Sequence, residues 1–167
     1  MISGITDSAN FPVSGSGSAI DASCGPPCNS NNWDSYLTVV NSTTGAREVS
    51  TFVGGDDWEF PGRLARDRSA IAFSYLYQGG QSYSANFPPV NALQATRSGD
   101  ADATFSIYRL EGNALERVLS TFIGGPGENE IAYGVDVDQS TSPKFSMDHQ
   151  KFPTQTRCTQ QMKGLES

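Results

Sequence analysis

The sequence predicts an all-β protein built from tandem four-stranded antiparallel units, and three observations carry that prediction. "STFVGG" at residues 50–55 returns as "STFIGG" at 120–125. Around both copies the chain falls into short runs rich in β-branched and aromatic residues, separated by clusters of Gly, Asn, Asp and Ser, which is how strands and turns read. No window keeps the i, i+3, i+4, i+7 apolar spacing of a helix over about 11–18 residues, and 17 Gly and 9 Pro punctuate the 167 residues.

The elements follow in order. "ISGIT" opens as a strand that runs into "GITDSANFP" at 4–12, an ending repeated as "GQSYSANFP" at 80–88. This pair is 76 residues apart and the first pair 70, so six extra residues fall between 12 and 50, where "DASCGPPCNSNNW" at 21–33 reads as an inserted loop. "SYLTVV", "REVSTFV", "RLAR" and "AIAFSYLY" then give four strands, punctuated by "NSTTGA", "GGDD" and "RDRSA". The second copy keeps step: "DSYLTVV" at 34–40 matches "DATFSIYRL" at 102–110, and "GRLARD" at 62–67 matches "YGVDVD" at 133–138. A third Phe-Pro closes "DHQKFP" at 148–153, and the Pro in "STSPKFSM" predicts an edge strand before it. The expected organisation is a repeat region over 1–142, with the end of one unit at 2–12, a full unit at 34–88 and a partial unit at 102–142. A degenerate tail is expected over 143–167. A chain of this length holds one core.

"AIAFSYLY" is apolar on both faces, which suits a sheet covered on both sides; four-stranded units that bury their faces in this way stack radially in a β-propeller. The shared order of motifs resembles the bacterial seven-bladed-propeller-type β-propeller repeat. The residues that carry the resemblance are Asp34 with Tyr36 and Asp102 with Phe105, Ser50–Gly55 and Ser120–Gly125, Leu64–Asp67 and Val135–Asp138, and Gly4–Pro12 and Gly80–Pro88. The resemblance implies a secreted or cell-surface scaffold or adhesion role with no catalysis. Closure of a propeller takes about four to eight blades, and this chain spells about two plus a leading strand. Three arrangements therefore stay open: part of a longer propeller, several copies in a ring, or two facing sheets.

Composition narrows the partners. The net charge of −7 argues against nucleic acid and anionic membranes, which are held through Lys and Arg. From Pro143 onward four basic residues face two acidic ones, so the acidity lies in the body of the chain. No apolar stretch approaches the roughly 18 residues of a membrane span, and "MISGITDSANFP" has neither the basic nor the apolar region of a secretory signal.

Candidate chemistry is sparse. His149 is the only histidine and no nucleophile motif accompanies it, so no catalytic residue is assigned. Cys24, Cys28 and Cys158 with His149 have the inventory of a zinc site but not its spacing. A disulfide between Cys24 and Cys28 across the "CGPPC" turn is the stronger expectation in an oxidising compartment. Asp56, Asp57 and Glu59, and Glu128 with Glu130, offer oxygen atoms that suit calcium, yet they lack a calcium-loop pattern and read more simply as solvated hairpin tips. Asn41-Ser-Thr is a glycosylation acceptor in a predicted turn. Trp33, Trp58, Tyr75, Tyr77 and Tyr83 suit either a sugar-binding face or the core, with the two tryptophans the better candidates for exposure.

The sequence thus predicts a non-enzymatic module without a cofactor that displays the Cys24–Trp33 loop and the Asp56–Phe60 and Pro126–Glu130 turns to a protein or glycan. Two alternatives stand beside it. One is a structural subunit that assembles through its leading strand; the other is a fragment of a polysaccharide-active enzyme, which requires convergent carboxylates in a groove.

Overall fold

A computed structural model describes residues 1–14, 20–25, 28, 32–68, 70, 72–127 and 129–137, together with the backbones of two further strands, 143–149 and 158–161. Ten strands follow in order: β1 (Ile2–Thr6), β2 (Asp34–Val40), β3 (Arg47–Val53), β4 (Glu59–Asp67), β5 (Ser74–Ser82), β6 (Asp102–Glu111), β7 (Ala114–Ile123), β8 (Glu130–Val137), β9 (Pro143–His149) and β10 (Cys158–Gln161). They form three antiparallel sheets, β1-β2-β3, β4-β5-β6-β7 and β8-β9-β10. The described residues contain no helix, hence none long and apolar enough to cross a membrane. The described sheets do not close on themselves, an arrangement consistent with incomplete propeller-like units.

Repeat and sheet are out of phase by two strands. The sequence unit 34–88 is divided: its first two strands complete the first sheet, and its last two begin the second. The turn after β3 carries the chain across to the neighbouring sheet, so each copy ties two sheets together by covalent continuity.

The repeat survives at the level of register. Gly4 pairs with Tyr36 and Thr6 with Asp34; in the second copy Gly80 pairs with Thr104 and Ser82 with Asp102. Both copies bulge at one place on the β2 and β6 strands, after Val39 and after Ile107. The β4 and β8 strands bulge together too, between Pro61 and Leu64 and between Ile131 and Gly134. A bulge bends a strand and sharpens its twist, so equivalent bulges give equivalent curvature.

The middle sheet buries both faces, as its apolar runs predict. Leu76, Tyr108, Leu110 and Phe122 join Leu37, Val39, Val49 and Val53 of the first sheet in one core. Tyr77, Phe105, Ile107 and Leu119 form a second cluster with Val135 of β8, so the one core expected from chain length is divided in two by the middle sheet.

"STF" of the repeated phrase is where a loop closes the sheet's outer edge. In the first copy Ser14 N–H donates to the Ser50 carbonyl at 2.8 Å and Phe52 N–H to the Asp21 carbonyl at 3.1 Å. In the second, Val90 and Ser120 exchange bonds of 3.0 and 2.8 Å, and Phe122 N–H reaches the Gln94 carbonyl at 3.0 Å. Thr51 and Thr121 hydroxyls hold the same loops. Phe11 packs on Phe52 and Phe87 on Phe122, which gives "SANFP" its partner. An edge covered in this way is not free to pair with another chain.

The expected edge position of the strand before the third Phe-Pro needs correction. Residues beyond 142 contribute β9 and β10, and β9 is the middle strand of its sheet rather than an edge. Its proline is the first residue of the strand, a position that spares the ladder a missing donor. The third Phe-Pro at 152–153 lies outside the described residues.

Candidate functional site

"GG" ends the repeated phrase because a buried acid packs on the first glycine. A Cβ on Gly54 would stand 2.5 Å from Asp34 Oδ1 and 2.8 Å from Glu59 Oε2; one on Gly124 would collide with the Asp102 carboxyl group. The second glycine supplies a donor. Gly55 N–H donates to Glu59 Oε2 at 3.0 Å and Gly125 N–H to Glu130 Oε1 at 3.4 Å. The glycine pair and its two acids are thus one corner, built twice.

The two acids differ in their surroundings. Asp102 accepts the N–H groups of Ser98 and Gly99 at 2.9 Å and the Gln94 amide at 2.8 Å. Among the described residues Asp34 accepts the Gly25 N–H, at 2.8 Å, and a hydrogen bond shared with Glu59. Asp21 stands where the second copy has Gln94, so one neutral partner is replaced by an acid. Glu59 is 2% exposed and accepts hydroxyls from Ser82, at 2.7 Å, and from Ser84. Burial pushes its carboxyl up to about 8; the Ser84, Ser82 and Gly55 donors pull the other way, and Asp34 adds to the rise. Burial also raises Asp34. Two ionised carboxylates hold acceptors only, so their shared bond requires a proton.

Around this pair the first copy builds an aromatic corner from three segments. Trp33 and Trp58 stack with ring centroids 5.7 Å apart. Phe60 meets both edge-on at 6.4 and 6.0 Å, and Tyr83 meets Trp58 and Phe60 at 6.3 and 6.2 Å. Backbone bonds fix the segments: Glu59 N–H to the Trp33 carbonyl at 2.9 Å, Tyr83 N–H to the Trp58 carbonyl at 2.8 Å, and Asn32 Nδ2 to the Asp56 carbonyl at 3.2 Å. Asp56 and Asp57 N–H groups are held by Asn86 Oδ1 and Ser84 Oγ, both at 2.8 Å. A disulfide joins Cys24 to Cys28 with Cα atoms 5.6 Å apart, and Gly25 within it packs on the Gly55 carbonyl. Trp58 is 36% exposed, and Asp56 and Asp57 are exposed beside it.

The second copy is an internal control. Its Glu130 N–H reaches the Ala101 carbonyl at 3.1 Å, so Ala101 stands where Trp33 does, Asn129 where Trp58 does and Ile131 where Phe60 does. At these three described positions the second corner holds no aromatic ring.

The remaining candidates lie elsewhere. Tyr77 is in the core and Tyr75, partly buried, packs against it. Glu130 is buried on the Gly125 N–H rather than displayed on a loop, and Glu128 lies outside the described residues. Asn41 works as a turn former: its Oδ1 accepts Thr43 and Thr44 N–H at 2.9 and 3.1 Å, and its Nδ2 donates to Glu48 at 2.9 Å. His149 and Cys158 lie on β9 and β10, of which only backbone pairing is described. No group of three metal-ligating side chains gathers among the described residues. Sequence reasoning placed Phe60 at the end of a displayed turn but missed its place in the ring cluster, whose members come together only through the fold, and it missed the buried pairing of Asp34 with Glu59. Comparison with known proteins returned no matching family model, no matching curated protein and no matching solved structure.

Proposed function

We propose that this protein is a non-enzymatic, secreted or cell-surface repeat module of β-propeller type that binds a protein or glycan partner through the Trp33–Trp58 corner. The observation that carries the reading is the comparison between copies: four rings gather on a rigid, partly exposed corner whose counterpart holds Ala101, Asn129 and Ile131. The rings are therefore not a requirement of the fold. Aromatic side chains held rigid supply contact area at low conformational cost. The Cys24–Cys28 disulfide supports an oxidising compartment. Asp34 and Glu59 are the convergent carboxylates an enzyme would offer, but they are 0% and 2% exposed and spend their bonds on the fold. The test is an array of glycans and peptides probed with wild type and Trp58→Ala. At least one class should be retained by wild type and lost by the variant, and a variant that keeps every interaction overturns the reading.

A second reading, assembly through the leading strand, is favoured by one observation. β4 covers the edge of β5, while no described strand covers the matching edge of β1, where Ile2 and Ile5 are 51% and 40% exposed. Deleting residues 1–7 should then abolish any oligomer seen by sedimentation equilibrium; an oligomer that survives the deletion sinks this reading.

A further inference from the structure

We infer that the Trp58 corner receives a cationic side chain, an arginine or lysine presented by a basic segment of a partner protein. This rests on the corner being a binding face and names its occupant. The argument is charge complementarity. The described residues of the segments that build the corner, 20–25, 28, 32–34, 54–60 and 82–87, contain Asp21, Asp34, Asp56, Asp57 and Glu59 and no Lys or Arg; the first basic residue of the chain is Arg47. Asp34 and Glu59 are buried on each other, whereas Asp56 and Asp57 face solvent next to the exposed Trp58 indole.

An indole face attracts a cation through its quadrupole, and tryptophan does so best of the aromatic side chains. Guanidinium in addition stacks flat on a ring and forks to carboxylates. A neutral sugar would use the ring but not the acids. The corner is also preorganised: the Asp56 and Asp57 backbone is pinned by Asn86 and Ser84, and Asp57 Oδ1 accepts the Trp58 backbone N–H at 2.9 Å. Binding then orders little of the receptor.

Trp33 and Trp58 are the two tryptophans of the chain, so intrinsic indole fluorescence reports on this corner alone. The experiment titrates the full chain with a short arginine-rich peptide, a glutamate-rich peptide of equal length and a neutral oligosaccharide series. The arginine peptide should change the emission saturably. Trp58→Ala should weaken binding by about tenfold or more. Asp56→Asn with Asp57→Asn should also weaken it, by about fivefold to tenfold, and keeps the fold intact because both side chains are exposed and Asn retains the Oδ1 acceptor. Raising salt from about 50 to about 500 mM should weaken it comparably. Arginine-peptide binding that both variants leave unchanged overturns the inference. A saturable response to neutral sugar alone overturns the cationic occupant while leaving a binding corner, and no response to any probe overturns both.

Discussion

Glu59→Gln isolates the proton that the first corner stores. The Glu59 carboxyl is pushed from an ordinary 4.5 up to about 8 in the folded protein, chiefly by burial. Because the folded value lies above the unfolded one, the stabilisation is complete below about pH 4.5 and is lost as pH rises to about 8; Asp34, also raised, acts with the same sign. A shift of this size corresponds to about 5 kcal/mol across the window, a large share of the ~5–15 kcal/mol that holds a domain together. Gln keeps an acceptor for Ser82 and Ser84 and a donor for Asp34, but its amino group cannot accept the Gly55 N–H, at a cost of about 1 kcal/mol. The variant should therefore be slightly less stable than wild type at pH 5 and more stable at pH 9. Urea unfolding followed by indole emission at pH 5, 7 and 9 measures this. A wild type whose stability is flat from pH 5 to 9, or a variant that keeps the wild-type slope, refutes the shared-proton argument.

Other outcomes follow from the two copies. Gly55→Ala should destabilise by about 1–3 kcal/mol, since its Cβ would press on Asn86 Oδ1 and Ser84 Cβ at 2.5 and 2.6 Å; Gly125→Ala, whose Cβ meets only Glu130 Oε1 at 3.9 Å, should stay within about 0.5 kcal/mol, as read by thermal unfolding. Phe122→Ala, at a side chain 1% exposed beneath Phe87, should cost about 3–5 kcal/mol in urea unfolding. Reducing Cys24–Cys28 releases a loop of only a few residues, so it should lower stability by about 2 kcal/mol and shift the indole emission without unfolding the sheets. Maleimide labelling before and after reduction should count two additional thiols.

Strand existence and the repeat were legible because hydrophobic pattern and turn chemistry are local. The register of "GITDSANFP" against "DSYLTVV" could be anticipated from its second appearance, and the structure pairs both copies alike. What the sequence hid were choices made between sheets. β5 continues past the apolar run "AIAFSYLY" through Gly79 and Gly80; glycine stands there because a Cβ on Gly79 would meet the Ala132 carbonyl of β8 at 2.9 Å. Repeat phase does not announce sheet phase, because either grouping of four strands satisfies the same alternation. At the site, Trp33, Trp58, Asp56 and Asp57 were legible as loop residues of unusual type. Phe60 was legible as the end of a displayed turn but not as a member of the ring cluster, and the Asp34–Glu59 pair was not legible, since the two acids lie 25 positions apart in sequence and only the crossing from β3 to β4 brings them together. Glu130 misled because a glutamate beside glycines looks like a solvated turn, whereas here it holds a backbone N–H.

The central claim, that one corner of a duplicated scaffold has become a receptor, is tested most directly at the two indole N–H groups. A nitrogen-15 spectrum of the full chain resolves them as two peaks, for Trp33 and Trp58, and Trp58→Phe assigns them. On titration with the arginine-rich peptide the Trp58 peak should move saturably while the backbone peaks of Ala101 and Asn129, its counterpart corner, stay in place. Backbone shifts elsewhere with both indoles unmoved, or equal movement at the two corners, would contradict it.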